Sequence, residues 1–387
     1  MLVPLSYNLR SLFVRRSETL LTVIGIGATV AVLSGVLALQ QGFRTLFTNA
    51  GHDDVAVFLR PGAPTESDSF FTRDRALQLI KSTPEIATDA GEQPIGSAEV
   101  YLAVRRFKLD GGETNVPIRG VQPMSFEVFP ELRILEGRRF EPGSDEVIVG
   151  SKLPGRIRDC NVGDVFQRNL TPMRVGGIFE YDGPFQSEIW GDLDRVLEAL
   201  QRPGPSRVVA RVRPETDFEA FAERLKEDKE VPAKVLSEDD YLSQSSSTMS
   251  GILVGLGSVL GLIMGIAAVF TATNTMLAAL ASRTHEVGIL LAIGYRPLPI
   301  FLSFMFEALL LGLLGGLVGC LLVLPLNGIE TGTTNFQSFT EVAFAFRVSG
   351  TVLATAVIFS LVLGLLGGAW PALRAALLSP TAALRQQ

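Results

Sequence analysis

RTHEVGILLAIGYRP, residues 283–297, is a short amphipathic insert between two long apolar runs. Upstream, Tyr241–Ser282 carries no charge; downstream, Pro297–Thr340 carries only Glu307 and Glu330. Arg283 and Arg296 stand near its two ends, Glu286 opens an apolar centre, and Gly294 and Pro297 mark its stop. Glycine tolerates the backbone of a helix terminus and proline cannot continue the hydrogen-bond ladder, so the insert is predicted to be a short helix at a membrane surface. If both neighbours cross the bilayer, a partner docking on this insert pushes two membrane helices at once.

Working outward, the 387 residues divide into two chemistries. Residues 49–248 hold 25 Lys+Arg and 35 Asp+Glu, a net charge of −10, whereas the remaining 187 residues hold nine Arg, no Lys and five Glu. The middle is a solvated globular domain and the flanks are membrane. An acidic soluble part repels phosphate, which argues against nucleic acid as a partner. Leu20–Leu39 is twenty residues without charge, enough at helical rise to cross the roughly 30 Å hydrocarbon core. A signal peptide also begins with basic residues before an apolar run, but this run exceeds a typical h-region and lacks a small-residue cleavage site before Gln40–Gln41, so it reads as a retained span.

The fold class that follows is a membrane protein with four transmembrane α-helices and an α+β extracytoplasmic domain inserted between the first and second spans. The predicted order is an amphipathic N-terminal helix (1–18), span one (19–48), the α+β domain (49–248), span two (249–282), the surface helix (283–297), span three (298–326), a short outer loop (327–347), span four (348–373) and a tail (374–387). Within the domain, Val55–Leu59, Glu99–Lys108, Val116–Val121, Glu146–Gly150, Arg174–Phe179, Val208–Val212 and Val231–Val235 read as strands. Arg73–Lys81, capped by Thr72, and Phe218–Lys226 read as helices. Four spans put both termini on one side. The pieces holding Arg10, Arg15, Arg16, Arg283, Arg296, Arg374 and Arg385 against Glu18 and Glu286 are then cytoplasmic, with residues 49–248 outside the inner membrane.

Glycines at i,i+4 spacing recur in the spans: Gly251/Gly255 and Gly257/Gly261/Gly265, then Gly312/Gly316 and Gly315/Gly319, then Gly364/Gly368. In lipid such spacing lets backbones approach and gain dispersion contact, so a tight bundle, and a dimer as its extension, are expected. Glu307 is the ionisable side chain deep in a span, where a charge costs about 2.5–3.5 kcal/mol; it is expected to be protonated, paired with a hydroxyl or amide on another helix, or within reach of the interface, with a structural pairing preferred. A proton relay needs several such groups. Asp53–Asp54, Asp239–Asp240 and Ser245–Ser247 read as solvated surface or flexible hinge rather than catalytic residues, so no catalytic site is expected. The two histidines, His52 and His285, and the two cysteines, Cys160 and Cys320, make no CxxC or HExxH spacing, so neither a metal site nor a disulfide is expected.

Several stretches, loose singly but specific in order and spacing, carry a family resemblance: Asn8–Leu9–Arg10 leading into Thr22–Ile26, Glu146–Ser151, Val162–Asp164, Val175–Phe179, Arg283–Leu290 with Ala292–Gly294, Glu307–Leu309 with Gly315, Gly316 and Gly319, and Ser379–Pro380 with Ala383–Arg385. Together these resemble the permease subunits of MacB/FtsX-type (type VII) ABC transporters, on the LolC/MacB side. The family often has basic residues where His285 and Leu291 stand. The resemblance implies that residues 283–297 are the coupling helix, with Arg283 and Glu286 making polar contacts to an ABC ATPase, Val287 and Leu290 filling its groove, and Gly288, Ala292 and Gly294 completing the docking segment. No GxxxxGK[ST] phosphate loop occurs in the sequence. The implied ATP and Mg therefore belong to a partner ATPase dimer serving two permease chains. A membrane-fusion adaptor often accompanies such permeases. The implied function is mechanotransmission from ATP hydrolysis to the outer domain, for export or extraction of lipoproteins, antibiotics, peptides or polysaccharide-linked cargo. An FtsX-like regulator of a cell-wall hydrolase is the alternative, and the outer domain's size of about 200 residues favours the transporter side.

Overall fold

A computed structural model describes residues 14, 16–48, 50–335 and 340–379. Of the N-terminal amphipathic helix expected over 1–18, all but residues 14 and 16–18 lie outside these, and so do residues 380–387 of the tail, with Pro380 and Arg385. The chain forms two compact units: Met1–Gly42, Gly251–Ile329 and Ala345–Gln387 make one, Phe43–Ser250 and Glu330–Phe344 the other.

The helical unit draws on α1 (Arg16–Thr48), α6 (Glu238–Ser282), α7 (Thr284–Ala292), α8 (Pro297–Val323) and α9 (Gly350–Ala376). Four of these, α8 with its following turn to Leu326, are long and apolar enough to cross a membrane. Their glycines sit where helices meet. A Cβ on Gly312 would stand 2.7 Å from the Ser360 carbonyl oxygen of α9, and one on Gly364 would stand 2.6 Å from that of Ala308 on α8. Gly316 and Gly368 face Ser360 and Ala308 across the same seam. Gly315 and Gly319 lie against Ile26 and Val30 of α1. On α6, Gly257 and Gly261 lie against Val36 and Leu33 of α1, and Gly265 against Leu363 of α9. Gly251 and Gly255 meet nothing within 4 Å, so the small-residue reading does not extend to them within one chain. Hydroxyls add directional contacts: Thr22 Oγ1 donates to Thr275 at 2.8 Å, and Thr273 Oγ1 to the Gly367 carbonyl at 2.9 Å.

The other unit is a mixed α+β domain. Strands β1 (Val55–Leu59), β2 (Gly96–Phe107), β3 (Glu113–Val121), β4 (Arg133–Gly137), β5 (Glu146–Gly150), β6 (Val165–Arg168), β7 (Thr171–Glu180), β8 (Ile189–Asp192), β9 (Arg207–Arg211) and β10 (Lys234–Ser237) form one sheet in the order β10-β1-β9-β2-β3-β8-β5-β7-β4, with β6 on β7. The β3–β8 and β5–β7 pairs are parallel and the others antiparallel. Strand side chains alternate between faces, and here both faces are covered. Ala56 and Phe58 join a core with Leu79 of α2 (Arg73–Ser82), Val196 of α4 (Leu193–Leu200) and Phe221 of α5 (Phe218–Glu227). Val55, Val57 and Leu59 point the other way, toward an aromatic core of Phe129, Phe179, Phe185 and Trp190. A four-residue helix, α3 (Ser125–Val128), closes that side. Thr72 caps α2 by accepting from Arg75 N at 3.3 Å.

Three expectations are corrected. The last strand is Lys234–Ser237 rather than 231–235, because Val231 and Ala233 pack into the core ahead of the pairing with β1. The serine tract lies within a helix, which its reading as surface or hinge did not foresee: α6 is continuous from Glu238, and the Ser245, Ser246 and Ser247 hydroxyls donate to the Tyr241, Ser243 and Gln244 carbonyls of their own helix. Residues 327–347 are not a plain loop but hold a hairpin, β11 (Glu330–Asn335) and β12 (Thr340–Ala345). Its carboxylates are ion-paired, Glu330 with Lys152 and Glu341 with Lys108 and Arg156.

Candidate functional site

The bend between α6 and α8 is assembled by local backbone chemistry. α6 ends at Ser282, and Arg283 adopts φ −114° and ψ 8° before α7 restarts. Thr284 Oγ1 donates back to the Leu280 carbonyl at 3.0 Å, and Val287 N donates to the Arg283 carbonyl at 3.0 Å, stitching both sides of the break. At the other end Gly294 takes φ +99°, which glycine adopts without Cβ strain. Gly294 N then reaches the Leu291 carbonyl and Tyr295 N the Leu290 carbonyl, the paired bonds of a Schellman stop.

The faces of α7 differ from expectation. Val287 is 4 % exposed and packs with Met276, Leu280, Ile300 and Phe304, and Gly288 is buried beside it. Leu290 is half-buried. Val287 and Gly288 therefore belong to the chain's own core and are not surface for a partner. The exposed side carries His285, Glu286, Ile289, Ala292, Ile293 and Gly294, with Ile293 72 % exposed. Arg283 is also corrected: it is buried, and its Nη1 donates to Glu307 Oε2 at 2.9 Å. Glu307 is thus paired with a guanidinium, a partner the sequence did not point to. A carboxylate drawn into an apolar bundle is held there by the opposite charge.

A second polar cluster, which the sequence reading missed, lies in the sheet unit. Arg119 of β3 donates Nε and Nη2 to Glu188 at 2.7 and 2.8 Å, and Nη1 to Glu66 at 3.0 Å and Glu99 at 3.2 Å. Arg207 of β9 donates Nη2 to Glu99 at 2.7 Å, and Trp190 Nε1 donates to Glu188 at 2.8 Å. All five charged residues are buried. Burial works against the ionised Arg119, but Glu188 and Glu66 more than offset it, so its pKa stands well above the usual guanidinium value. Burial raises the Glu66 carboxyl, and Arg119 and Arg207 bring it below its ordinary value. The guanidinium of Arg119 lies 5.0 Å from the Tyr101 ring centroid, and that of Arg207 lies 5.8 Å from Tyr241 near the start of α6. A cavity of about 60 Å³ borders the cluster between Phe47, Tyr101, Phe185 and Tyr241. The signal in the sequence was charge inside each apolar run: Glu99 in AEVYLAV, Arg119 in VPIRGV, and Arg207, with Arg211 at the far end, in SRVVAR.

Comparison with known proteins gives the following. The family model of the MacB-like periplasmic core domain matches residues 19–228, and that of the FtsX-like permease C-terminal region matches residues 257–380. The macrolide export ATP-binding/permease protein MacB of Sodalis glossinidius is 26% identical over 408 residues, covering 98% of this chain and 60% of that protein. The pyoverdine export ATP-binding/permease protein PvdT of Pseudomonas syringae pv. tomato is 25% identical over 417 residues, covering 98% and 58%. The chain thus spans about 60% of the length of the curated relatives it matches. Among solved structures, the periplasmic region of MacB from Actinobacillus actinomycetemcomitans aligns at a TM-score of 0.37 and 13% identity, covering 49% of this chain and 91% of that one.

Proposed function

The chain belongs to the MacB/FtsX-type permeases, and from that premise we propose that it is the permease part of an ABC transporter whose ATPase docks on the exposed face of α7. The observation that carries the reading is the two-sidedness of this nine-residue helix. One side is sunk in the bundle through Val287, and the other presents Glu286, Ile289 and Ile293. A push on the exposed side reaches α6 and α8 through the buried one. ATP and Mg are bound by the partner ATPase dimer, and two permease chains pair above it. The termini and α7 are cytoplasmic, residues 49–248 are periplasmic, and the movement serves export or extraction of a substrate from the periplasm or the membrane, with an adaptor as a further partner. The names of the relatives, which join ATP binding to macrolide or pyoverdine export, support this class of work.

The test uses the full chain in vesicles with the ATPase that co-purifies with it. Glu286→Arg combined with Ile293→Asp is expected to lower permease-stimulated ATP turnover about tenfold, the range of ordinary coupling free energies, with membrane insertion unchanged. Unchanged stimulation would overturn the docking assignment. Retention of a peptidoglycan hydrolase, with no adaptor or channel, would overturn the export reading in favour of regulation.

A further inference from the structure

At Arg283 three helices meet through one side chain. The residue lies at the break between α6 and α7, and its guanidinium bonds to Glu307, about 15 Å along α8 from Pro297. The two side chains are 9 and 5 % exposed. Val287, Ile300, Phe304 and Ala308 supply the apolar packing of this region. Apolar contact is non-directional and lets surfaces slide, whereas a charge-assisted hydrogen bond fixes both distance and orientation. Replacing either partner removes a charge-assisted hydrogen bond from a buried guanidinium or carboxylate.

From this geometry we infer that Arg283 and Glu307 are the positioning pair of the bend: they pin the α6–α7 break to α8, so that α7 and the adjoining ends of α6 and α8 move as one body. Neither residue touches a partner in this role. The functional meaning of the pin rests on the proposed docking of an ATPase, while the pin itself rests on the contact alone.

Two measurements on the full chain separate these. Spin labels at Ile293→Cys, the residue that follows α7, and Trp370→Cys of α9, both exposed positions, report where α7 is held. The native pair and the charge exchange Arg283→Glu/Glu307→Arg are expected to give one narrow distance distribution, and Arg283→Gln and Glu307→Gln a broadened one. In vesicles with the ATPase, the single variants are expected to lose stimulated turnover about tenfold while still capturing the ATPase, and the exchange to recover it. Single variants with native width, or an exchange as broad as they are, would overturn the pin. Single variants that fail to insert while the exchange inserts with native width support it; an exchange that fails with them overturns it. If the native chain does not stimulate any ATPase but the distance results hold, the pin stands and the proposed function falls. If stimulation is normal in every variant, the proposed function stands and the positioning role falls.

Discussion

His52 joins residues far apart in sequence. Its Nδ1 lies 3.1 Å from Glu238 Oε2, its backbone N donates to the same oxygen at 3.3 Å, and Tyr181 Oη lies 3.3 Å from Nδ1. Glu131 stands 3.8 Å from Nε2, and Asp54 and Arg211 lie beyond it. The hydrogen bond to Glu238 raises the imidazole above its ordinary 6.5, against a smaller opposing effect of burial. A base whose folded-state pKa is raised stabilises the fold when protonated. That contribution is complete below 6.5 and disappears as pH climbs through the higher folded value. His52→Gln should therefore depress the melting temperature of the detergent-solubilised chain at pH 6 and lose most of that effect at pH 9; an equal depression at both would refute the pairing. Arg283 teaches a related lesson. Its charge and its place at an apolar boundary were readable from the sequence, but a cation at that position anchors to headgroups, to a partner or to a buried carboxylate equally well. Only the fold brings Glu307 within 2.9 Å.

Among the elements, the helices were the most legible and the contacts between them the least. Lipid makes hydrophobic runs obligatory for a span, so four of them stand out from composition. Glycine spacing marked faces fit for close approach without saying which helix comes to each. The structure separates the pairs sharply. Gly312→Val would drive a side chain into the Ser360 carbonyl and is expected to cost about 1–3 kcal/mol or more by overpacking. Gly255→Val meets nothing within 4 Å and should leave stability nearly unchanged. Unfolding midpoints of the two variants in the same detergent check this, and equal loss in both would mean Gly255 faces a second chain. The hairpin β11–β12 was missed because its strands are rich in Thr and carry Glu330 and Glu341, a pattern that reads as polar loop. Ion pairs with Lys108, Lys152 and Arg156 accompany it, together with the burial of Val342, Ala343 and Phe344 of β12.

For the whole molecule, the proposed orientation makes a direct prediction. Leu170, 92 % exposed at the β6–β7 turn, should as Leu170→Cys react with a membrane-impermeant maleimide in spheroplasts, while Ile293→Cys should react only after the membrane is opened. The reverse pattern would invert the topology and remove the ATPase from α7. α6 itself, 45 residues and about 68 Å long at helical rise, exceeds any bilayer, and its residues are divided between the two units at Ser250 and Gly251. What the sequence determined alone was the division into apolar flanks and a charged middle, the four spans, the α+β character and the bend at residues 283–297, because solvent class and backbone stops are local properties of the chain. What only the tertiary structure decided was the partner of each special residue: Val287 turned inward, Glu307 on Arg283, and Arg119 and Arg207 among three glutamates. Those pairings join residues from 20 to more than 100 positions apart, and a buried charge is stable only beside a counter-charge that the folded chain alone can deliver.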